Sequence, residues 1–216
     1  MIVVDIETSG LDMGKNGIWQ IGALDLDNPS NQFCQECRID NDELIMPEAL
    51  VITGKTEEEL RDKNKQSQTE LILNFLDWAS GIKNKMFVGQ NVGFDYLFIQ
   101  HKFFKYGLRE KFHGVISPKN MDLHPLAQIR YKEVNGKFFL KENGSSDFSL
   151  SKICNFCGFD DCRRNLDSSG KFVKEGIPHD ALFDAKISAE CFSRLMYGKN
   201  LLEEFKDFKI PEYLKI

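Results

Sequence analysis

Apolar and polar positions along the chain follow two periods. Ile2–Ile6 is a short apolar run that ends in Asp5-x-Glu7, and Ile18–Asp27 and Gln32–Ile39 are β-prone runs joined by the turn Asn28-Pro29-Ser30. They predict three strands. A short helix is expected over Glu43–Leu50. Within Gln68–Ala79, Leu71, Ile72, Phe75, Leu76 and Ala79 recur at helical spacing. Lys85–Gln90 predicts a fourth strand, and Phe94–Tyr106 a helix that Gly107 stops. Further helices are expected over Asp122–Arg130, Ser149–Phe156 and Pro178–Tyr197, the last carrying Ala181, Ala185, Ile187, Ala189, Phe192 and Leu195. Asn135-Gly136 lies between β-prone arms in Tyr131–Leu140, a hairpin signal, and the stretch from Asp167 to Gly176 reads as loop. No repeat and no interdomain linker interrupts the pattern. It implies a single α/β domain over residues 1–216, with a mixed sheet covered by helices.

Composition narrows the class. The 216 residues carry a net charge of −5, with 28% charged and 42% hydrophobic residues, which excludes a disordered chain, a collagen and a disulfide mini-protein. A pI near 5.5 argues against a body that grips nucleic acid with broadly basic surface. The N-terminus has no basic segment followed by an apolar one, and no stretch of about 18 apolar residues occurs. A cytoplasmic protein without a membrane partner is expected. Six cysteines then read as reduced thiols. Cys34/Cys37 and Cys154/Cys157 invite a zinc reading, but over a hundred residues separate them. Cys34 and Cys37 would also point to opposite faces of a strand, so buried or half-exposed thiols are the expectation.

Three acidic segments carry candidate chemistry. Asp5 and Glu7 stand at i and i+2 of a strand and project to one side of it; the plain alternative is a polar strand end in solvent. Asp95 follows another apolar strand within Val88–Asp95 and would stand at the start of the next helix, where a capping role competes. His179 and Asp184 open the last long helix. Five residues apart, they do not share a helix stripe, but they converge if His179 lies on the entering loop. Asp184, between Ala181, Phe183 and Ala185, falls near the buried side, where a carboxylate needs a partner or a metal.

Taken in order, Asp5-x-Glu7, Asn91-x-x-Phe94-Asp95 and His179-x-Ala181-x-x-Asp184-Ala185 resemble the DEDDh family of 3′→5′ exonucleases. The resemblance runs over nearly the whole chain and includes Ile18–Ala23 and Val88–Phe94 as family strands. It implies a ribonuclease H-like fold, a mixed β-sheet flanked by α-helices. Asp5, Glu7, Asp95 and Asp184 would hold two Mg2+ or Mn2+ ions, and His179 would be the general base. Thr8, Gly10, Leu11, Asn91 and Phe94 would contact substrate. Hard oxygen ligands suit these ions, two ions stabilise both oxygens of an in-line displacement, and a histidine with a pKa near 6.5 takes a proton near neutrality. The implied substrates are single-stranded DNA or RNA 3′ ends, released as nucleoside 5′-monophosphates, by a monomer, a homodimer or a member of a polymerase or repair complex. Two departures bear on terminal-nucleotide contacts: Gln90-Asn91 stands where the family often has His-Asn, and no His occurs in Val51–Thr56.

Lesser signals remain. Ala49-x-x-x-x-Gly54-Lys55-Thr56 fits a loose P-loop, but Leu50, Val51 and Ile52 fill a loop that should be glycine-rich, so a helix end and turn is the better reading. Lys102, Lys105, Arg109 and Lys111 lie among Phe103, Phe104 and Tyr106, either a solvated helix face or a strand-tracking surface. Arg163-Arg164 and Lys132–Lys141 are similar candidates. His101, His113 and His124 read as surface or satisfied histidines, and Leu201–Phe208 covers either this chain's core or a partner's. The competing functions are a non-catalytic nucleic-acid-binding or scaffold protein on the same fold, and a P-loop NTPase. If the four acids hold two divalent ions, the net charge rises from −5 to −1. Binding is then expected to be metal-dependent and local to the strand end.

Overall fold

The computed structural model describes residues 1–167 and 170–215. Its centre is a five-stranded mixed sheet of order β3-β2-β1-β4-β5. Strand β1 spans Ile2–Thr8, β2 Ile18–Asp25 and β3 Asn28–Glu36, an antiparallel meander. A helical stretch follows: α1 over Pro47–Thr53, α2 over Glu57–Leu60 and α3 over Gln68–Ser80. Strand β4, Phe87–Gly89, then pairs parallel to β1 and leads into α4, Val92–Lys105. Helix α5 is Arg109–Val115, and β5, Asn120–Asp122, adds parallel to β4. Helix α6 covers Leu123–Asn135 and α7 Leu150–Phe156. The short strands β6, Asn165–Leu166, and β7, Phe172–Lys174, form a separate ribbon before α8, Ala181–Tyr197. No helix among the described residues is long and apolar enough to cross a membrane.

The period of two along β1 sets the layers. Ile2, Val4 and Ile6 face a core built with α3, α4 and α5, which includes Phe75, Phe98, Phe103 and Phe112. Val3 faces the other core, with Leu24, Val88 and residues of α6, α7 and α8. Asp5 and Glu7 have the parity of Val3, so they emerge on the α8 side at the carboxyl end of the strand. Leu202 and Phe205 of the Leu201–Phe208 segment join this second core, so the segment covers its own chain. Arg194 fastens it there: fully buried, it pairs with Glu190 at 2.7 Å and donates to the carbonyls of Phe205 and Phe208.

Several elements differ from the sequence pattern. Asn135-Gly136 is not a hairpin turn: α6 runs through Asn135, and Gly136, left-handed at φ 73°, ends it by donating to the Lys132 carbonyl. Type I′ turns and helix C-caps both require a left-handed residue, so the same pair serves either. The short helix expected over Glu43–Leu50 starts at Pro47, where the missing N–H costs nothing, and ends at left-handed Gly54. Thr56 then caps α2 with Glu59, so Ala49–Thr56 is a helix end and turn rather than a phosphate loop. The Asp167–Gly176 stretch contains β7; its Ser168 and Ser169 lie outside the described residues. Cys34 is exposed and Cys37 buried, as opposite strand faces require, while Cys154, Cys157 and Cys191 are buried.

The basic residues of α4 do not form a strand-tracking face. Lys102 is buried and reaches Glu43 at 2.6 Å, and Lys105 binds Asp40 and Glu43. His124 meets the Ser146 hydroxyl at 2.5 Å, and His113 packs on Phe104 and Phe112.

Candidate active site

Strand β1 outruns its neighbour on one side. Strand β4 ends at Gly89, and the chain turns through Asn91, left-handed at φ 55°, into α4. Among the described residues, the β1–β4 pairing therefore ends at Val3. The Ile6 N–H donates instead to Asp95 Oδ1 at 3.1 Å, which draws the first turn of α4 to the strand end. Asp95 is thus not the residue that caps the helix; Asn91 holds that place, and its own N–H donates to Asp122.

Helix α8 reaches the same point from the other layer. Opposite Asp5 in the β1–β2 register stands Gly22, and opposite Glu7 stands Gln20. A Cβ on Gly22 would lie 2.1 Å from the Leu182 nitrogen, so only glycine admits the α8 backbone here. Gln20 pins the helix start twice: its amide donates to Asp180 at 2.8 Å and its carbonyl accepts from the Ala181 N–H at 3.0 Å. Asp180 caps α8 through Phe183 N–H, and Asp184 lies one turn in.

A cleft of about 500 Å³ results, bordered by Asp5, Glu7, Asp95, His179 and Asp184. Glu7, His179 and Asp184 bring ligand atoms within 4.8 Å of one another. Two of the carboxylate oxygens, Glu7 Oε1 and Asp184 Oδ1, are buried without a hydrogen-bond partner among the described residues. An unpaired buried acceptor of this kind costs on the order of 1–3 kcal/mol, more when charged. The crowding shows in the proton affinities. Burial, then repulsion from Asp184 and Asp95, pushes Asp5 well above the ordinary carboxylate range, and burial followed by Asp184 does the same to Glu7. Burial raises Asp95 to about 8. A set of oxygen donors with orphaned lone pairs fits a hard divalent cation.

His179 lies on the loop entering α8, where its N–H donates to the Ile52 carbonyl. Its Nε2 is 3.0 Å from the Arg164 carbonyl and its Nδ1 is 3.3 Å from Asp184 Oδ2. A carbonyl only accepts, so Nε2 carries a proton and donates it.

Arg163 completes the site, and the sequence pattern does not reveal it. Rather than a surface cation, it is buried, with Nη1 at 2.5 Å from Asp184 Oδ2 and its other donors on Asp161. Gln20 is the second residue without a prior role. Its signal is a lone amide in the otherwise apolar strand Ile18–Leu24.

A second, larger cleft of about 870 Å³ adjoins the first and shares Glu7, Phe94 and His179 with it. Thr8, Gly10 and Leu11 line it with Leu44 and Met46. Leu11 is 83% exposed, an apolar side chain on the lining of the cleft that also includes Glu7. Asn91 and Phe94 border the smaller cleft.

Comparison with known proteins agrees with this architecture. The model of the RNase T family, described as exonuclease, matches residues 2–192. The 3′-5′ DNA exonuclease Cap18 of Escherichia coli is 33% identical over 110 residues, which are 49% of this chain and 57% of Cap18. Exonuclease I of E. coli bound to a dA16 oligonucleotide superposes with a TM-score of 0.62 at 19% identity, over 90% of this chain and 40% of the exonuclease I chain. A zinc-bound form of its complex with single-stranded DNA gives 0.58 at 20% identity, over 87% and 38% of the two chains. The chain thus spans well under two thirds of each of these proteins. The shared fold is ribonuclease H-like, a mixed five-stranded sheet flanked by helices.

Proposed function

The chain belongs to the RNase T exonuclease family, and on that premise we propose that it is a metal-dependent 3′→5′ exonuclease acting on single-stranded DNA ends. The observation that carries this reading is the pair of orphaned buried oxygens, Glu7 Oε1 and Asp184 Oδ1, in a cleft also bordered by Asp5 and Asp95. These four acids would hold two Mg2+ or Mn2+ ions. Bound there, the ions supply Lewis-acid stabilisation of the charge that develops around phosphorus. The choice of DNA rests on the relatives: Cap18 is named a DNA exonuclease and exonuclease I is seen with DNA oligonucleotides.

The chain's own residues do the rest. Thr8, Gly10, Leu11 and Phe94 receive the terminal nucleotide in the larger cleft, where apolar contact with Leu11 and Phe94 suits a base face. Asn91 stands at the rim of the smaller cleft, near the scissile bond. With Nε2–H held by Arg164, the basic lone pair of His179 is on Nδ1, and this nitrogen takes the proton from the attacking water. The imidazolium so formed stands 3.3 Å from Asp184 Oδ2, which balances its charge. The water oxygen bonds to phosphorus and the P–O3′ bond breaks with its electron pair going to O3′, which takes a proton from solvent. A nucleoside 5′-monophosphate leaves, and the shortened strand ends in a 3′-hydroxyl.

The test is incubation of 5′-labelled single-stranded DNA with Mg2+ or Mn2+. Wild-type chain should shorten it from the 3′ end. Asp5→Ala should abolish the ladder, and His179→Ala should slow it roughly 10²–10⁴-fold. If Asp5→Ala retains full activity, the assignment of Asp5 to the cation site fails. If wild type cleaves nothing with either metal, the exonuclease reading fails and a non-catalytic nucleic-acid-binding protein on the same fold takes its place.

A further inference from the structure

An arginine beside a cation-binding carboxylate is unexpected, since like charges repel and burying a guanidinium costs several kcal/mol unless it is paired. Arg163 is 5% exposed. Three of its donors go to one partner: its backbone N–H and Nε to Asp161 Oδ1 at 3.0 and 2.9 Å, and Nη2 to Asp161 Oδ2 at 2.9 Å. Asp161 is itself buried and accepts from the Ser151 hydroxyl at 2.5 Å. The backbone is fixed as well. Arg163 bridges to Ile177, and Gly176 packs so closely on Cys162 and Arg163 that a Cβ would lie 2.4 Å from the Cys162 carbonyl oxygen. One donor of this immobilised fork, Nη1, is left over, and it takes Asp184 Oδ2. The other oxygen, Oδ1, is the orphan.

We propose that Arg163 is a positioning residue of the cation site: anchored on Asp161, it grips Asp184 by Oδ2 and so presents Oδ1 to the cation. The inference rests on the cation reading above and adds a residue outside the carboxylate set. A planar fork locked at one end transmits a fixed orientation to the other, which a lysine on a flexible stem does not. Outer partners that orient ligands are typically worth 10–100-fold in metal affinity. The same segment also holds His179 through the Arg164 carbonyl, so the chain between α7 and α8 sets both side chains.

The experiment is Mn2+ titration of the full chain, following free Mn2+ by EPR, with melting temperature recorded for each metal-free variant. Asp161→Asn keeps the arginine charge but loosens its anchor. Arg163→Lys keeps the charge but loses the fork, and Arg163→Met loses both. All three are expected to bind Mn2+ about 10–100-fold more weakly than wild type. If Arg163→Met binds as tightly as wild type or tighter, Arg163 is only a competing charge and the proposal is overturned. If Asp161→Asn and Arg163→Lys melt lower but keep wild-type Mn2+ affinity, Arg163 only anchors its loop, and the proposal is again overturned. Should Arg163→Met not fold, the other two variants decide. A wild-type chain without Mn2+ affinity overturns the cation site itself.

Discussion

Glu7, Asp95 and Asp5 keep their protons more tightly in the folded chain than in the unfolded one, because burial and mutual repulsion penalise the ionised forms. For a carboxyl raised in this way, the stabilisation is complete below its unfolded pKa of about 4 and is lost as pH rises through the folded value. For Asp95 that value is about 8. Metal-free protein is therefore expected to melt at progressively lower temperature between pH 5 and pH 8. Saturating Mg2+ should remove most of the decline by compensating the ionised acids. Asp95→Asn should flatten the metal-free curve while its carbonyl still accepts from the Ile6 N–H. Thermal melts across this range check it; a flat profile for wild type, unaffected by Mg2+, would refute the cluster electrostatics. Asp5 and Glu7 were legible in the sequence because i and i+2 share one face of a strand, and Asp95 only through the order of the three acidic segments. Arg163 was not: its partners are Asp161, two residues away but in irregular chain where the strand repeat does not apply, and Asp184, twenty-one residues away.

At the scale of elements, the site depends on how closely α8 approaches β2. Gly22→Ala would place a methyl group 2.1 Å from the Leu182 nitrogen, in backbone that cannot swing aside. The first turn of α8 must then shift, carrying Asp184 with it. A loss of about 1–3 kcal/mol in urea unfolding is expected, with a fall in nuclease activity. Gly114→Ala in α5, which meets nothing within 4 Å, serves as the control and should cost nothing. Equal stability of the two variants would show that the contact is not what fixes the helix. The long elements were readable in advance: α3 matches its expected span, and Ser67 with Glu70 closes a capping box at its start. The short ones were not. Strands β5, β6 and β7 have two or three residues each, too few to display alternation, and tertiary pairing alone defines them.

At the scale of the whole molecule, the proposed function sets an acidic chain against a polyanionic substrate. Its net charge of −5 gives little general attraction for DNA, and three cations of its basic clusters are engaged internally, Lys102 and Lys105 on Glu43 and Arg163 on Asp161 and Asp184. On the proposed function, recognition is concentrated at the two adjoining clefts where β1, α4 and α8 meet, the larger lined by Leu11 and Phe94 and the smaller by the four acids. The central claim is that this junction removes nucleotides from a 3′ end by water attack at phosphorus. Mass spectrometry of the products from a single-stranded DNA digested with Mn2+ in H2(18)O tests it most directly. The predicted result is nucleoside 5′-monophosphates released one at a time from the 3′ end, each carrying one 18O on its phosphate. Internal fragments, 3′-phosphates, or 5′-monophosphates without the label would contradict it.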